Sequence, residues 1–325
     1  MTPLRFGVLG CADIAWRRML PAMSADASMR LVAVASRDPA RARLFAERFG
    51  AEAAVSYESL LARSDIDAVY VPLPVALHRV WVARSLGAGK HVLAEKALTA
   101  RARQSVELYA TAAEMGLVLR ENVMFVHHSQ HAAVQALVAQ GVIGEMRSFS
   151  STFVIPSRPA HDIRYQASLS GGALYDIAVY PIRAAMYHLG DQLCVVGAVL
   201  RLDRARGVVL SGSALLRTST GVPAQLEFGM EHMYRSNYLL SGSDGCLALD
   251  LAFTPPADHR PLVRVERRDR VEEMALPPDD QVANAIRAFR TAIAAGDTAG
   301  ELVDASISQA RLIDELRTRA EVVSV

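Results

Sequence analysis

Leu4-Arg-Phe-Gly-Val-Leu-Gly-Cys-Ala-Asp-Ile-Ala15 begins as a short apolar strand, tightens at Gly10 and passes into a helical pattern from about Ala15 to Met23. Strand, tight turn and helix form the first unit of a dinucleotide-binding fold, in which backbone N–H groups at a helix N-terminus face a pyrophosphate. The glycine fingerprint is incomplete, because Ala12 and Ala15 take its second and third positions. Alanine at the third still permits close helix–sheet packing, whereas at the second it adds a methyl where backbone must approach a phosphate. Gly10, Cys11, Ala12, Asp13 and Ile14 are the first candidate cofactor contacts.

Downstream residues repeat the alternation. Met29 to Ser36 reads as a buried strand and Pro39 to Phe49 as a helix with proline in its first turn. Asp67 to Val71 is a strand ending in Pro72-Leu73-Pro74, and Val75 to Leu86 a helix closed by Gly87. His91 to Ala94 is a strand, Arg101 to Met115 a helix closed by Gly116, and Leu117 to Glu121 a strand. Strands alternating with helices specify a parallel, doubly wound α/β sheet, a Rossmann domain over residues 1–122.

The end of the second strand selects the cofactor. NAD sites place an acid there for the ribose hydroxyls, but this chain has Ser36 and Arg37, with Arg41 one helical turn on. A hydroxyl and a guanidinium bind a 2′-phosphate through charge-assisted hydrogen bonds, so NADP(H) is expected. Asp38 is expected to cap the next helix rather than turn inward. Pro72 and Pro74 stiffen a loop beside the expected cofactor, where Pro72 and Leu73 are candidate contacts, and His78 in the following helix faces that loop or packs as a structural group.

The chain has 325 residues, enough for two domains, with 51% hydrophobic and 21% charged residues. A net charge of +1 announces no nucleic-acid or anionic-membrane partner. Cys11, Cys194 and Cys246 are too few and too scattered for a metal-site pattern and suit a reducing compartment. The first strand starts at the N-terminus with no leader pattern before it, so a soluble, cytoplasmic protein is expected.

Both lysines of the chain, Lys90 and Lys96, flank one strand, against thirty-three arginines elsewhere. Lysine is a compact ammonium whose pKa responds to its surroundings, which arginine's does not. Glu95 and Lys96 stand just past the strand's carboxyl end, where open α/β sheets bind ligands.

After Glu121 the pattern changes. Ser129 to Gln140 is an amphipathic helix ended by Gly141. Strand-like runs follow without helices between most of them: 147–155, 195–203, 207–217, 224–230, 236–241 and 246–251. They specify an α+β domain over 123–325 with a largely antiparallel sheet, open on one face. Tyr165 to Leu189 contains its main helix, and 279–295 and 302–319 are two further helices. Asp176 precedes Tyr180 by four residues, which predicts one shared helical face. His127 and His131 are also four apart, but no carboxylate or cysteine follows at a metal-binding spacing, and no metal is expected.

Four segments together resemble the glucose–fructose oxidoreductase and inositol dehydrogenase (Gfo/Idh/MocA) family: Gly7 to Ala15, Tyr70-Val-Pro-Leu-Pro74, His91-Val-Leu-Ala-Glu-Lys96 and Gly171-Gly-Ala-Leu-Tyr-Asp-Ile-Ala-Val-Tyr180. Within it, Met230 to Tyr238 and Ala252 to Ala257 resemble the 3-ketoreductases that build deoxysugars on thymidine diphosphate. The resemblance implies NADPH-dependent reduction of the C3 ketone of a thymidine diphosphate-linked 3-keto-deoxyhexose. It also implies a homodimer or homotetramer formed through the C-terminal sheet. Ketone reduction needs a hydride on carbon, a proton on oxygen and a clamp on the developing alkoxide. Tyr180 suits the proton donor and Lys96 the clamp, with the reverse assignment open, and Asp176 suits orienting Lys96 or a substrate hydroxyl. Arg158, Arg164 and Arg235 are candidates for the diphosphate, and His161, Tyr165 and Tyr234 for thymine or sugar. The family usually has proline after its Glu-Lys pair, often with a cis bond; here Ala97 leaves cis and trans both open. The alternatives are an NADP-dependent aldose or dihydrodiol dehydrogenase, and a dinucleotide-binding regulator without turnover.

Overall fold

The computed structural model describes residues 2–325. The chain divides into two compact units, 1–123 with 282–306, and 124–281 with 307–325. Residues 282–306, expected with the second domain, thus belong to the first unit.

The first unit opens with β1 (Leu4–Leu9), a five-residue π-helical turn at Ala15–Met19 and α1 (Leu20–Ala25), followed by β2 (Met29–Ala35) and α2 (Pro39–Phe49). A short strand and helix, β3 (Glu52–Ala54) and α3 (Tyr57–Leu61), follow. β4 (Ala68–Val71), α4 (Val75–Gly87), β5 (His91–Glu95), α5 (Ala102–Glu114) and β6 (Leu119–Asn122) complete the alternation. The six strands pair in parallel in the order β3-β2-β1-β4-β5-β6. Phe6, Val8, Leu9, Val34, Val69, Tyr70, Val92 and Leu93 are buried in this sheet. The order reverses between β1 and β4, and ligands of open α/β sheets bind beyond the strands' carboxyl ends at such a reversal. Gly10 after β1 and Pro72 after β4 therefore stand at the expected mouth.

Asp38 caps the N-terminus of α2, its carboxylate accepting from the N–H groups of Ala40 at 2.9 Å and Arg41 at 3.3 Å. Gly87 does not close α4: it is the helix's last residue, and the left-handed turn is made by Gly89 at φ 71°.

The second unit contains α6 (Ser129–Ala139), β7 (Met146–Val154), α7 (Ala173–Asp176), α8 (Val179–Leu189), β8 (Cys194–Asp203), β9 (Val208–Arg217), β10 (Pro223–Gly229), β11 (Arg235–Gly242), β12 (Gly245–Asp250), β13 (Leu262–Arg267) and β14 (Val271–Ala275). The tail runs through α9 (Gln281–Ala295), which lies almost wholly in the first unit, α10 (Glu301–Arg319) and β15 (Glu321–Ser324). The nine strands are ordered β14-β13-β12-β11-β7-β10-β9-β8-β15. Only the β10–β7 and β15–β8 pairs are parallel. β13, β14 and β15 were not anticipated from the sequence. Phe149, Phe228, Leu240, Leu247, Leu249 and Val263 are buried in this unit. No helix among the described residues is long and apolar enough to cross a membrane.

Candidate active site

In the first unit the turn after β1 is shaped by Gly10 at φ 114°. A Cβ there would meet Leu73 Cδ2 at 2.7 Å. Only glycine tolerates both this dihedral and so close an approach of the two loops. Ala15 is fully buried, as close packing of helix on sheet requires. Cys11 is buried, its thiol pushed up to about 11 mainly by that burial, which makes it inert at neutral pH. Asp13 is exposed and pairs with Arg17. Ala12 and Ile14 are partly exposed.

Arg37 and Arg41 are exposed beyond the carboxyl end of β2, and Ser36 beside them is half-buried. Asp38 is committed to the cap of α2 and offers no inward carboxylate to a ribose. These residues fit a 2′-phosphate, because two cations and a hydroxyl stand where an acid would repel it.

Beyond β4, Pro72 and Leu73 are buried. His78 is fully buried, with Nε2 2.6 Å from the Leu73 carbonyl oxygen and Nδ1 3.0 Å and 3.1 Å from those of Ala97 and Leu98. Burial holds this imidazole below its ordinary value. His78 thus ties the loop after β4 to the loop after β5 as a packed structural group. Lys96 is half-buried, and the Lys96–Ala97 bond is cis, although Ala97 is not proline. Leu98 N–H donates to Glu121 Oε1 at 3.0 Å, which fixes the far side of this turn. Glu95, another expected cofactor contact, turns its carboxylate into the sheet, where Oε1 accepts from Tyr70 Oη at 2.7 Å and Asn122 Nδ2 at 2.8 Å.

In the second unit Tyr180 is the second residue of α8 and remains partly exposed. Its ring packs against Phe153 at 4.5 Å, Phe253 at 5.6 Å and Phe125 at 6.0 Å between centroids. This apolar wall orients the phenol, and no local pattern in the sequence pointed to it. Asp176 and Tyr180 do not lie on one continuous helix. α7 ends at Asp176 and α8 begins at Val179, with Ile177 at φ −110° between them. Gly171 and Gly172 hold the preceding segment close to its neighbours. A Cβ on Gly171 would lie 2.6 Å from the Arg164 carbonyl, and Gly172 has φ 105°.

Arg164 is less available to a diphosphate than its sequence position implied. Its guanidinium donates to Asp176 Oδ2 at 2.5 Å and contacts Asp162 Oδ1 at 3.1 Å. Asp176 is correspondingly the partner of an arginine. Tyr165 is buried, its hydroxyl donating to Glu231 Oε1 at 3.0 Å while the Arg206 guanidinium lies 4.5 Å over its ring. It is built into the protein rather than presented to a ligand ring. Arg206, in the β8–β9 turn, carries no motif that would single it out. Arg158, His161, Tyr234 and Arg235 are exposed, and Tyr234 Oη lies 2.6 Å from Thr254 Oγ1.

The histidine spacing does not produce a shared face either. His127 ends a 3-10 turn before α6, and His128 caps that helix by accepting from Gln130 N–H at 3.1 Å. Among the described residues no group of three or more His, Cys, Asp or Glu side chains is placed to hold a metal.

Residues 4–123 match the GFO/IDH/MocA oxidoreductase family with its NAD-binding Rossmann fold, and residues 131–248 match the GFO/IDH/MocA C-terminal domain. The chain belongs to the GFO/IDH/MocA family. A family member from Actinomadura kijaniata, dTDP-3,4-didehydro-2,6-dideoxy-alpha-D-glucose 3-reductase, is 54% identical over 98% of this chain and 96% of its own. An enzyme of the same name from Streptomyces violaceoruber is 54% identical over 99% and 97%. A crystal structure of a 3-ketoreductase from Actinomadura kijaniata, in complex with NADP and TDP-benzene, is 53% identical, covers 100% of both chains and superposes with a TM-score of 0.98.

Proposed function

We propose that this GFO/IDH/MocA oxidoreductase uses NADPH to reduce the C3 ketone of a thymidine diphosphate-linked 3-keto-deoxyhexose. The observation that carries this reading is the 54% identity over 98% of the chain to a dTDP-3,4-didehydro-2,6-dideoxy-alpha-D-glucose 3-reductase. A Lys96 at a sheet's carboxyl edge and a Tyr180 oriented by three phenylalanines supply the groups the reaction needs.

NADPH supplies the hydride. The residues assigned to it are Gly10, Ala12 and Ile14 of the first turn, Ser36, Arg37 and Arg41 for the 2′-phosphate, and Leu73 with Lys96 for the nicotinamide end. The Tyr180 phenol donates the proton to the C3 oxygen, being protonated at neutral pH, since a free tyrosine titrates near ~10. The Lys96 ammonium stabilises the developing alkoxide and strengthens the phenol as a donor. Arg158 and Arg235, both exposed, are assigned to the diphosphate, and Tyr234 and His161 to the base or sugar.

The open face of the nine-stranded sheet bears a depression of about 480 Å³ lined by Ser150, Thr152, Val199, Ser213, Leu215 and Glu227. Val199 and Leu215 are exposed there at 43% and 38%. A second copy of the chain is the occupant that the family resemblance implies, and the mass in solution tests it.

NADPH oxidation separates this reading from its alternatives. Turnover with a thymidine diphosphate-linked diketo sugar, generated in place by the dehydratase-type reaction that must precede this step, and none with free aldoses or dihydrodiols, supports it. The reverse preference establishes a dehydrogenase of free substrates, and tight NADPH binding with no turnover on either establishes a regulator.

A further inference from the structure

Residues 156–170 carry two of the groups assigned to the substrate, Arg158 and His161, on a segment of mostly exposed side chains. Among the described residues of this segment, Tyr165 is the one buried side chain. It ends the short turn Ile163–Tyr165. Its hydroxyl donates to Glu231 Oε1 at 3.0 Å and accepts from the Arg158 N–H at 3.3 Å. A phenol can do both at once. One buried hydroxyl thus joins the backbone at Arg158 to a carboxylate on a distant turn.

That turn is itself fixed to the sheet. Glu231 follows β10, between Met230, whose N–H donates to the Leu210 carbonyl at 2.7 Å, and His232, whose N–H donates to that of Ile155 at 3.0 Å. Glu231 has φ 66°, in the region that favours glycine. A glycine would make the turn without strain, but it would leave the Tyr165 hydroxyl without its acceptor. Arg206 supplies the counter-charge. Its guanidinium carbon lies 4.5 Å over the Tyr165 ring, and its Nη1 lies 3.7 Å from Glu231 Oε1 and 3.3 Å from Asp203 Oδ2. The link stands at the end of the sheet where β7 and β10 finish together, Val154 beside Gly229. Tyr234, three residues after Glu231, packs against Phe153 at 6.3 Å between centroids, and Phe153 packs in turn against Tyr180. All of these groups belong to the second unit.

We propose that Tyr165 and Glu231 are positioning residues for substrate recognition: their hydrogen bond fixes the backbone at Arg158 and so sets where its guanidinium meets the diphosphate. Neither touches the substrate. Fixing the segment beforehand reduces the ordering that binding must otherwise impose on it, so the link acts on affinity and leaves hydride transfer alone. The proposal rests on the reading of Arg158 as a diphosphate contact.

The test is calorimetric titration of thymidine diphosphate into the full-length, NADP-loaded protein, with kcat for the keto-sugar, NADP affinity and thermal midpoint measured beside it. Tyr165→Phe keeps the ring and is expected to raise Kd for thymidine diphosphate about fivefold, the loss of one hydrogen bond. Its kcat and NADP affinity stay unchanged. Glu231→Ala gives the same loss, and Glu231→Gln, which keeps an acceptor oxygen, retains wild-type affinity. In an Arg158→Ala background, itself weakened, Tyr165→Phe has no further effect. Wild-type affinity in Tyr165→Phe, or an equal loss with and without the Arg158 side chain, overturns the proposal. A parallel fall in NADP affinity and thermal midpoint shows a merely structural role and overturns it too. If Tyr165→Phe fails to fold, the two Glu231 variants carry the test, and equal affinities in them overturn the proposal. Undiminished affinity in Arg158→Ala overturns the reading of Arg158 and this proposal with it. No binding of thymidine diphosphate by the wild-type protein overturns the substrate class itself, a distinct outcome that also ends the proposal.

Discussion

Arg164 donates from Nε to Asp176 Oδ2 at 2.5 Å, tying the 163–165 turn to the last residue of α7. With Asp162 on its other side, Arg164 braces the segment leading to Tyr180. Arg164→Ala is expected to lower unfolding stability by about 1–3 kcal/mol, the cost of leaving a partly buried partner unpaired. Arg158→Ala, at an exposed position, leaves stability unchanged and raises KM for the nucleotide sugar. Denaturant melts and steady-state kinetics on the two variants distinguish the roles. A large KM effect with unchanged stability in Arg164→Ala would show that it binds the diphosphate directly.

Arg37 and Arg41 make cofactor choice a matter of charge. Removal of a charge-assisted hydrogen bond to phosphate costs roughly 1.5–3 kcal/mol. Arg37→Ala should therefore raise KM for NADPH by about tenfold or more and leave KM for NADH nearly unchanged. Equal losses for both cofactors would assign Arg37 to another part of the nucleotide.

Gly10→Ala tests the turn itself. An alanine at φ 114° is strained, and its methyl would lie 2.7 Å from Leu73 Cδ2. Strain of this kind costs of order 1–3 kcal/mol, and it falls on the two loops at the mouth of the sheet. NADPH affinity, measured by fluorescence titration, should drop by at least about tenfold, with the far-ultraviolet spectrum unchanged. Undiminished affinity would show that the pyrophosphate does not lie against this turn.

The half-buried His127 and His188 are expected to set an acid limit on stability. Burial pushes His188 down to about 3 and His127 down to about 4, the latter with help from Arg183. Below pH ~6.5 the unfolded chain protonates these rings while the native chain does not, so the unfolded state binds more protons. Stability therefore falls as pH drops from about 6.5 toward 4, each ring adding a slope of up to ~1.4 kcal/mol per pH unit. Urea midpoints across this range check the slope. His188→Phe should flatten it, and an unchanged slope in that variant would assign the acid sensitivity elsewhere.

Parts of this design were legible because local signals agreed. The apolar run of β1 ends at Gly10, and α2 begins where an Asp38 cap meets Pro39, so both elements fall where the pattern puts them. β14 and β15 were not legible because every residue in them is exposed, and three-residue β3 is nearly so, leaving no apolar alternation to detect. The break between Asp176 and Tyr180 escaped notice because a four-residue spacing looks the same whether or not the helix continues through it. The Glu95 cluster was hidden for a different reason. Its partners lie 25 and 27 residues away and meet it only through the parallel register of β4, β5 and β6. The charge of Arg164 suggests a phosphate, while the carboxylates paired with it are visible only once the 162–176 segment is folded.

The most direct measurement is transfer of deuterium from reduced, 4-deuterated NADP to the thymidine diphosphate-linked diketo sugar, with product position read by NMR and mass spectrometry. The expected result is one deuterium at C3 of an intact nucleotide sugar, with transfer lost in Lys96→Ala and Tyr180→Phe. Deuterium at another carbon, or equal transfer in both variants and the wild-type protein, would contradict the assigned reaction or its residues.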